Sequence, residues 1–217
     1  DEQLHEVMEL HLKNGQDHLG NHLENLTAES LNLSKELSRE IEGILMREGV
    51  SLEEVNDNPE LLLRLQEVMY PFISTTLQTG NCNGAYAILN ATTNTKLDGA
   101  EHSRSGIHLR YSNLNTSSLI NQTVVYFRGI PDIARQKDLE LHNRWNLEFD
   151  IDNVPGYEIL MDFDGRRILD SCYLSNRVTL SGTWEQVVLL SIPVVLEGKV
   201  RGVCGVELSE LFFNMVF

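Results

Sequence analysis

The sequence predicts an α+β protein in which a long N-terminal helix precedes a domain built on a central antiparallel β-sheet. Three observations carry this prediction. Apolar residues recur at helical spacing over the first 48 residues, several later segments are short and β-branched, and two such segments near the end are joined by a tight turn. We therefore expect residues 1–80 to form a helical segment and residues 81–217 to form the sheet-containing domain.

The first 48 residues are predicted to form one helix with a continuous apolar seam. Four leucines lie seven residues apart, at Leu12, Leu19, Leu26 and Leu33. The other faces are acidic, because residues 1–60 hold 15 Asp and Glu against 4 Lys and Arg and so carry −11 of the net charge of −15. These faces are expected to be solvated. A seam of this length also suits a partner helix, so the intact protein could form a homodimer through it.

Two shorter helices are predicted before the sheet. Ser51 and Glu54 have the spacing of a capping box, which indicates a short second helix. Asn58-Pro59 begins a third helix, whose wide apolar face is expected to lie against a sheet. Pro71 falls inside this helix and predicts a kink, and Gly80 ends it.

The remaining chain is predicted to be mostly strands. Three apolar segments, 84–89, 106–111 and 124–128, have strand composition. Pro131-Asp132 is expected to open a helix that reaches about Leu141. The segment from Tyr157 to Cys172 is compatible either with a hairpin that turns at Asp164-Gly165 or with a short helix followed by a strand, and the second is slightly favoured.

The closing segment is predicted to be an antiparallel hairpin. Its strands are residues 187–195 and 200–207, joined by a four-residue turn that contains Gly198. Gly202 and Gly205 interrupt the second strand, which indicates a bulge or a close approach by another backbone. Ser209 is a candidate N-cap for a short helix through Leu211, Phe212 and Phe213.

Composition excludes several function classes. The charge of −15 disfavours binding to nucleic acid, which needs a basic surface. The sequence has neither an apolar stretch of the roughly 20 residues of a membrane span nor a signal peptide. The sequence nevertheless starts inside a helical pattern and stops on an apolar run, as expected of a segment trimmed between two membrane helices.

The three cysteines have no metal or redox spacing and are expected to be reduced, with Cys204 buried.

The sequence gives no reason to expect an enzyme, a metal site or a cofactor. His18 and His22 are four residues apart on the long helix but lack a third ligand. Cys204, His108 and His142 are candidate catalytic groups only as an unordered set. We predict no catalytic residue and no bound metal.

One cluster of residues suggests a pocket for a small molecule. It comprises Tyr126, Arg128, Arg144, Trp145 and Tyr173. An arginine can bind a carboxylate through two parallel hydrogen bonds, and aromatic walls exclude water around the pair, so the ligand could carry a carboxylate. The alternative is that Trp145 belongs to the core and Arg144 to a surface ion pair.

The closing hairpin resembles that of Cache domains, the PAS-like extracytoplasmic sensor modules of bacterial transmembrane receptors. The resemblance rests on Leu190-Ser-Ile-Pro-Val194, Gly198, Gly202-Val203 with Gly205, and Glu207-Leu-Ser209. Segments 124–134, 142–149 and 204–213 are also similar to sensor regions of clostridial histidine kinases. The resemblance implies a single Cache domain with a PAS-like sheet, tethered to the cell membrane, that binds an extracellular small molecule and signals across the membrane.

Two other functions stay open at this point. A cytosolic PAS- or GAF-like regulatory module would contain a similar sheet, but it would not require the long leading helix. A helical dimerisation or interaction protein would account for the helix and leave the sheet unexplained.

Overall fold

The computed structural model describes residues 2–112, 122–163 and 171–210, with the side chains of the first helix described from residue 16 onward and at Lys13. The helices are α1 (Glu2–Glu48), α2 (Pro59–Thr79), α3 (Pro131–Gln136) and α4 (Tyr157–Met161), with 3₁₀ turns at Leu52–Val55, Ala100–His102 and Ile151–Asn153. The strands are β1 (Gly84–Leu89), β2 (Ser103–Arg104), β3 (Gly106–Tyr111), β4 (Val124–Arg128), β5 (Glu140–Asn146), β6 (Phe149–Asp150), β7 (Tyr173–Leu174), β8 (Val178–Thr179), β9 (Gln186–Leu196) and β10 (Lys199–Ser209).

The strands form one large sheet and one small one. The large sheet has the order β5-β4-β3-β1-β10-β9-β7, and β8 also pairs with β9. All of its pairings are antiparallel except that of β4 with β5. Strands β2 and β6 form the small sheet. The predicted α+β class with a central antiparallel sheet is therefore confirmed.

Helices α1 and α2 cover one face of the large sheet and share a hydrophobic core with it. Leu26, Leu33, Leu37 and Ile41 of α1 are all buried in this core. The hydroxyl of Ser34, the residue after Leu33, donates a 2.7 Å hydrogen bond to the carbonyl oxygen of Pro193 in β9. The part of the leucine seam from Leu26 onward thus packs within the chain, so it is not available to a partner helix.

The predicted boundaries of the N-terminal helices are confirmed. The backbone N–H of Ser51 donates to Glu54 Oε2 at 2.7 Å, which completes the capping box, although the helix it opens is a single 3₁₀ turn. Asn58 Oδ1 accepts from the backbone N–H of Leu61 at the start of α2. Helix α2 runs through Pro71 and ends at the Gly80 cap.

The helix predicted from Pro131 to about Leu141 is shorter than expected. It ends at Gln136, and Glu140–Asn146 forms the edge strand β5 instead. Asp138 adopts a left-handed backbone conformation with φ of +53°, which turns the chain out of the helix. In the segment from Tyr157 to Cys172, a short helix is present as α4, while residues 164–170 lie outside the described part of the chain.

The closing hairpin has the predicted strands, joined by a two-residue turn. Glu197 and Gly198 have φ of +50° and +75°, the conformation that tight hairpin turns require. The register of the β9–β10 pairing shifts between Val200 and Gly202. A Cβ at Gly205 would clash with the carbonyl oxygen of Leu190. Both glycines therefore allow the close backbone approach that was expected. The helix predicted after Ser209 falls on residues 211–213, outside the described residues.

The three cysteines are free thiols, as predicted. Cys82 and Cys204 are buried and Cys172 is partly buried. Cys204 faces α1, with its Sγ 3.8 Å from the carbonyl oxygen of Ser30. Among the described helices, none is long and apolar enough to cross a membrane.

Candidate ligand-binding site

The sheet face opposite the long helices carries polar and charged side chains. Because side chains alternate along a strand, Ile107 and Leu109 of β3 point into the helix-covered core, whereas His108 and Arg110 point to the other face. Tyr86 of β1, Ser191 of β9 and Glu207 of β10 lie on this second face as well, where the Tyr86 hydroxyl is hydrogen bonded to Ser191 Oγ. This face is the candidate functional surface.

A buried ionic network centres on Glu207, whose side chain is 0% exposed. Its carboxylate accepts hydrogen bonds from Asn83 Nδ2 at 2.6 Å, from His108 Nε2 at 2.7 Å and from Arg110 Nη2 at 2.7 Å. Arg110 Nε donates to both carboxylate oxygens at 3.0 Å. The carboxylate is thereby fully satisfied inside the protein, as a buried charge must be.

The network keeps Glu207 and Arg110 charged and His108 neutral. Burial raises the pKa of Glu207, but the Arg110 charge and the His108 hydrogen bond outweigh it and hold this pKa well below its ordinary value. Burial, together with the charges of Arg110 and Arg128, lowers the pKa of His108 below its ordinary value, although Glu207 acts in the opposite direction. A neutral His108 that donates from Nε2 has an unprotonated Nδ1, so this ring can accept a further hydrogen bond.

The network depends on a glycine in the central strand. Gly84 of β1 pairs with Glu207 on one side and with Arg110 on the other. A Cβ at Gly84 would lie 2.8 Å from Glu207 Oε2 and 3.1 Å from His108 Nε2. The two charged side chains can meet across β1 only because this position has no side chain.

A second carboxylate reaches Arg110 from the loop before β9. Glu185 Oε2 accepts a hydrogen bond from Arg110 Nη2, and its Oε1 lies 3.5 Å from Nη1. The Glu185 side chain is partly exposed, in contrast to that of Glu207. Arg110 is therefore shared between an internal partner and one that is accessible to solvent.

A small cavity of about 80 Å³, partly open to solvent, lies beside this network. Its floor is the sheet, its side is the segment from Asn146 to Val154, and its roof includes Leu180 and Ser181. The residues that line it include Tyr86, Ile88, His108, Phe127, Arg128, Glu148, Phe149 and Leu189. This volume exceeds what one water molecule needs, so the cavity can hold a small polar group against an aromatic wall.

Arg128 is the cationic group of this cavity, and the residue is only 5% exposed. Its guanidinium donates to the carbonyl oxygens of Phe127, Arg144 and Ser181 at 2.7 to 3.2 Å and lies 4.0 Å from the centre of the Phe127 ring. Within the described residues, no carboxylate lies within ion-pair distance of it. Burial, together with the charge of Arg110, lowers the pKa of Arg128 to about 10. An anion in the cavity would supply the missing counter-charge.

The structure brings only one of the five predicted ligand residues, Arg128, to this cavity. Tyr126 points into the helix-covered core, where its hydroxyl lies 3.4 Å from Gln66 Oε1. Arg144 is exposed, whereas Trp145 packs against that core and donates from Nε1 to the Gly129 carbonyl oxygen. Adjacent residues of a strand face opposite ways, which separates these two. Tyr173 packs beside Gly156. A ligand role for these four residues stays an untested prediction.

The sequence itself carries a signal for the buried ionic network. His108 and Arg110 alternate with apolar residues in β3, and Glu207 follows the uncharged run 202–206 in β10. Charged residues at buried strand positions need partners, so each indicated a polar cluster, although not which residues would meet.

The candidate catalytic groups do not converge. Cys204 lies on the helix-covered face, where burial raises the pKa of its thiol, and His108 lies on the opposite face. His142 stacks edge-on against Phe127, with ring centroids 4.9 Å apart. In the part of the chain that the structure describes, no group of three His, Cys, Asp or Glu residues could hold a metal ion.

No protein-family model and no curated protein matches the sequence. Several solved structures do. A methyl-accepting chemotaxis protein X aligns over 95% of this chain and 62% of its own at 13% identity, with a TM-score of 0.53. This likeness shows the fold alone. The sensory domain of the Campylobacter jejuni chemoreceptor Tlp3 with isoleucine bound aligns over 97% of this chain and 64% of its own at 14% identity, with a TM-score of 0.40.

The extracellular domain of a protein described as a histidine kinase aligns over 86% of this chain and 53% of its own at 14% identity, with a TM-score of 0.39. The last two of these structures are thus described as a sensory domain of a chemoreceptor and an extracellular domain of a histidine kinase. This chain spans about three fifths of the length of the methyl-accepting chemotaxis protein X.

Proposed function

We propose that this chain is the extracellular ligand-binding sensor domain of a membrane receptor, such as a histidine kinase, and that its ligand is a small molecule with a carboxylate. Arg128 carries the proposal. It is a buried cation with no described counter-ion, and it lines a cavity whose other walls are largely aromatic and apolar. A cation kept out of water without a partner is costly, and a ligand carboxylate would remove that cost on binding.

The position of the cavity supports coupling between ligand and helix. The cavity lies on one face of the large sheet, and α1 packs on the other face against β9 and β10. A ligand that binds one arrangement of the sheet better than another shifts the population of both, and α1 moves with the strands it contacts. In the intact receptor, tethering to the membrane and a homodimer through the N-terminal part of α1 would pass this shift on.

A thermal-shift screen of small carboxylic acids and amino acids tests the proposal. A ligand at 100 times its dissociation constant adds about 2.7 kcal/mol of stability, or roughly 5–11 °C in melting temperature for a chain of this length. Arg128→Gln should weaken binding by roughly ten-fold to a hundred-fold, since a charge-assisted hydrogen bond contributes about 1.5–3 kcal/mol. The shift at the same ligand concentration should then fall to less than about half.

Arg144→Gln is the matched control, because Arg144 is exposed and does not line the cavity. It should retain the full shift. A compound that stabilises wild type and Arg128→Gln equally would show that Arg128 is not the anchor. Loss of the shift in Arg144→Gln alone would instead support the pocket first predicted around Arg144 and Trp145.

A further inference from the structure

The cavity beside Arg128 is too small for most metabolites. Its volume is about 80 Å³, whereas pockets for small molecules usually measure about 300–1,000 Å³. A ligand of ordinary size can fit beside Arg128 only if a wall of the cavity moves and enlarges it. The floor is held by the strand ladders of β1, β3 and β4.

The side wall is also firmly tied. Its strand β6 pairs with β2, and Glu148 accepts hydrogen bonds from the Thr92 hydroxyl, the Thr93 backbone N–H and the Ser103 hydroxyl. The roof is a loop, residues 180–185, between β8 and β9. It folds on itself, with Leu180 N–H donating to the Glu185 carbonyl oxygen at 2.8 Å and Thr183 N–H to that of Leu180 at 2.9 Å.

Two arginines hold this roof loop to the sheet. Arg110 binds the Glu185 carboxylate, and Arg128 Nη2 donates to the Ser181 carbonyl oxygen at 3.2 Å. In the described part of the chain these are the polar contacts that tie residues 181–185 to the sheet floor. Leu180 adds partial apolar packing, while Trp184 at the loop is 92% exposed and contributes none.

We propose that residues 180–185 form a gate that limits the size of the cavity and is held against the sheet by the Arg110–Glu185 pair. The role of the gate as a route for ligand rests on the proposed function, but its opening does not. The free-energy cost of opening is limited because Arg110 has two carboxylate partners, Glu185 and Glu207. When Glu185 leaves, Arg110 keeps the buried Glu207 through Nε and Nη2, so no unpaired charge remains inside. Glu185 is already 36% exposed and gains water as its new partner.

Two measurements without any ligand test the gate. Hydrogen exchange is followed in peptides that cover residues 180–187, with β1 peptides as the internal reference. In parallel, a thiol is placed in the cavity by Leu189→Cys, in a Cys172→Ser background, and its rate of alkylation by iodoacetamide is measured. The other two native thiols, Cys82 and Cys204, are buried.

Glu185→Ala should raise both rates about ten-fold, the effect of losing one charge-assisted hydrogen bond at a partly exposed site. Glu185→Gln should raise them less, since it keeps an acceptor. The matched control is Glu53→Ala, which removes the partner of Arg201 at a surface distant from the cavity and should change neither rate.

Unchanged exchange and alkylation in Glu185→Ala would overturn the proposal. Faster exchange without faster alkylation would also overturn it, because the loop would then move without opening the cavity. Since no ligand is used, these outcomes are independent of the screen that tests the proposed function.

Discussion

Replacing Glu207 by Gln should destabilise the protein far more than an isosteric change of one atom suggests. The carboxylate accepts from Asn83, His108 and Arg110 with no exposure to solvent. A glutamine amide removes the negative charge and directs an NH₂ group at residues that are themselves donors. Arg110 is left buried with Glu185 as its remaining carboxylate partner.

The expected loss is about 3 kcal/mol in the free energy of unfolding. Breaking a buried ion pair by removing one partner typically costs about 3–5 kcal/mol, and the continued contact of Arg110 with Glu185 places this case at the lower end. For a chain of this length, about 3 kcal/mol corresponds to a fall of roughly 6–12 °C in melting temperature.

Urea unfolding followed by far-UV circular dichroism measures this loss. The control is Glu53→Gln, which neutralises the exposed partner of Arg201 and should cost less than about 1 kcal/mol. A second check combines Glu207→Gln with Arg110→Met, which removes the stranded charge, so the double variant should cost less than the sum of the single ones. A Glu207→Gln loss no greater than that of the control would refute the buried-pair argument.

Three further predictions follow from the burial of His108 and Leu26 and from the close packing around Gly84. Burial lowers the pKa of His108 below its ordinary 6.5, so as pH drops the imidazole takes up a proton more readily in the unfolded chain than in the folded protein. The urea midpoint should therefore fall as pH drops between about 7.5 and 5.5. His108→Gln keeps a hydrogen-bond donor but does not titrate, so it should make this fall shallower. Equal pH slopes would contradict this. Leu26→Asp should unfold the domain, since Leu26 is fully buried, whereas Leu19→Asp should leave it folded and only weaken self-association measured by sedimentation. Gly84→Ala should cost about 1–3 kcal/mol of unfolding free energy by displacing the network, while Gly20→Ala, with open space around it, should cost nothing; the reverse order would disprove the steric argument.

Local signals in the sequence were sufficient for most of the fold. The heptad leucines, the Asn58 cap, the closing glycine turn and the β-branched runs each act within a few residues, and the corresponding helices and strands are present. The helix predicted from Pro131 is present, but its predicted end near Leu141 was wrong. The sequence pattern there reveals neither the left-handed Asp138 nor that the residues after it would join β4 as an edge strand.

The candidate site depended on contacts that no local pattern contains. His108 and Arg110 meet Glu207 nearly a hundred residues later, across a glycine in a third strand, and Arg128 reaches the loop at Ser181. The sequence alone led to Arg128 as one of five candidate ligand residues, but the buried charges of His108, Arg110 and Glu207 were not predicted from it. Strand order and the alternation of side chains decided the rest, since they separate Arg144 from Trp145 and turn Tyr126 into the core while leaving Arg128 in the cavity.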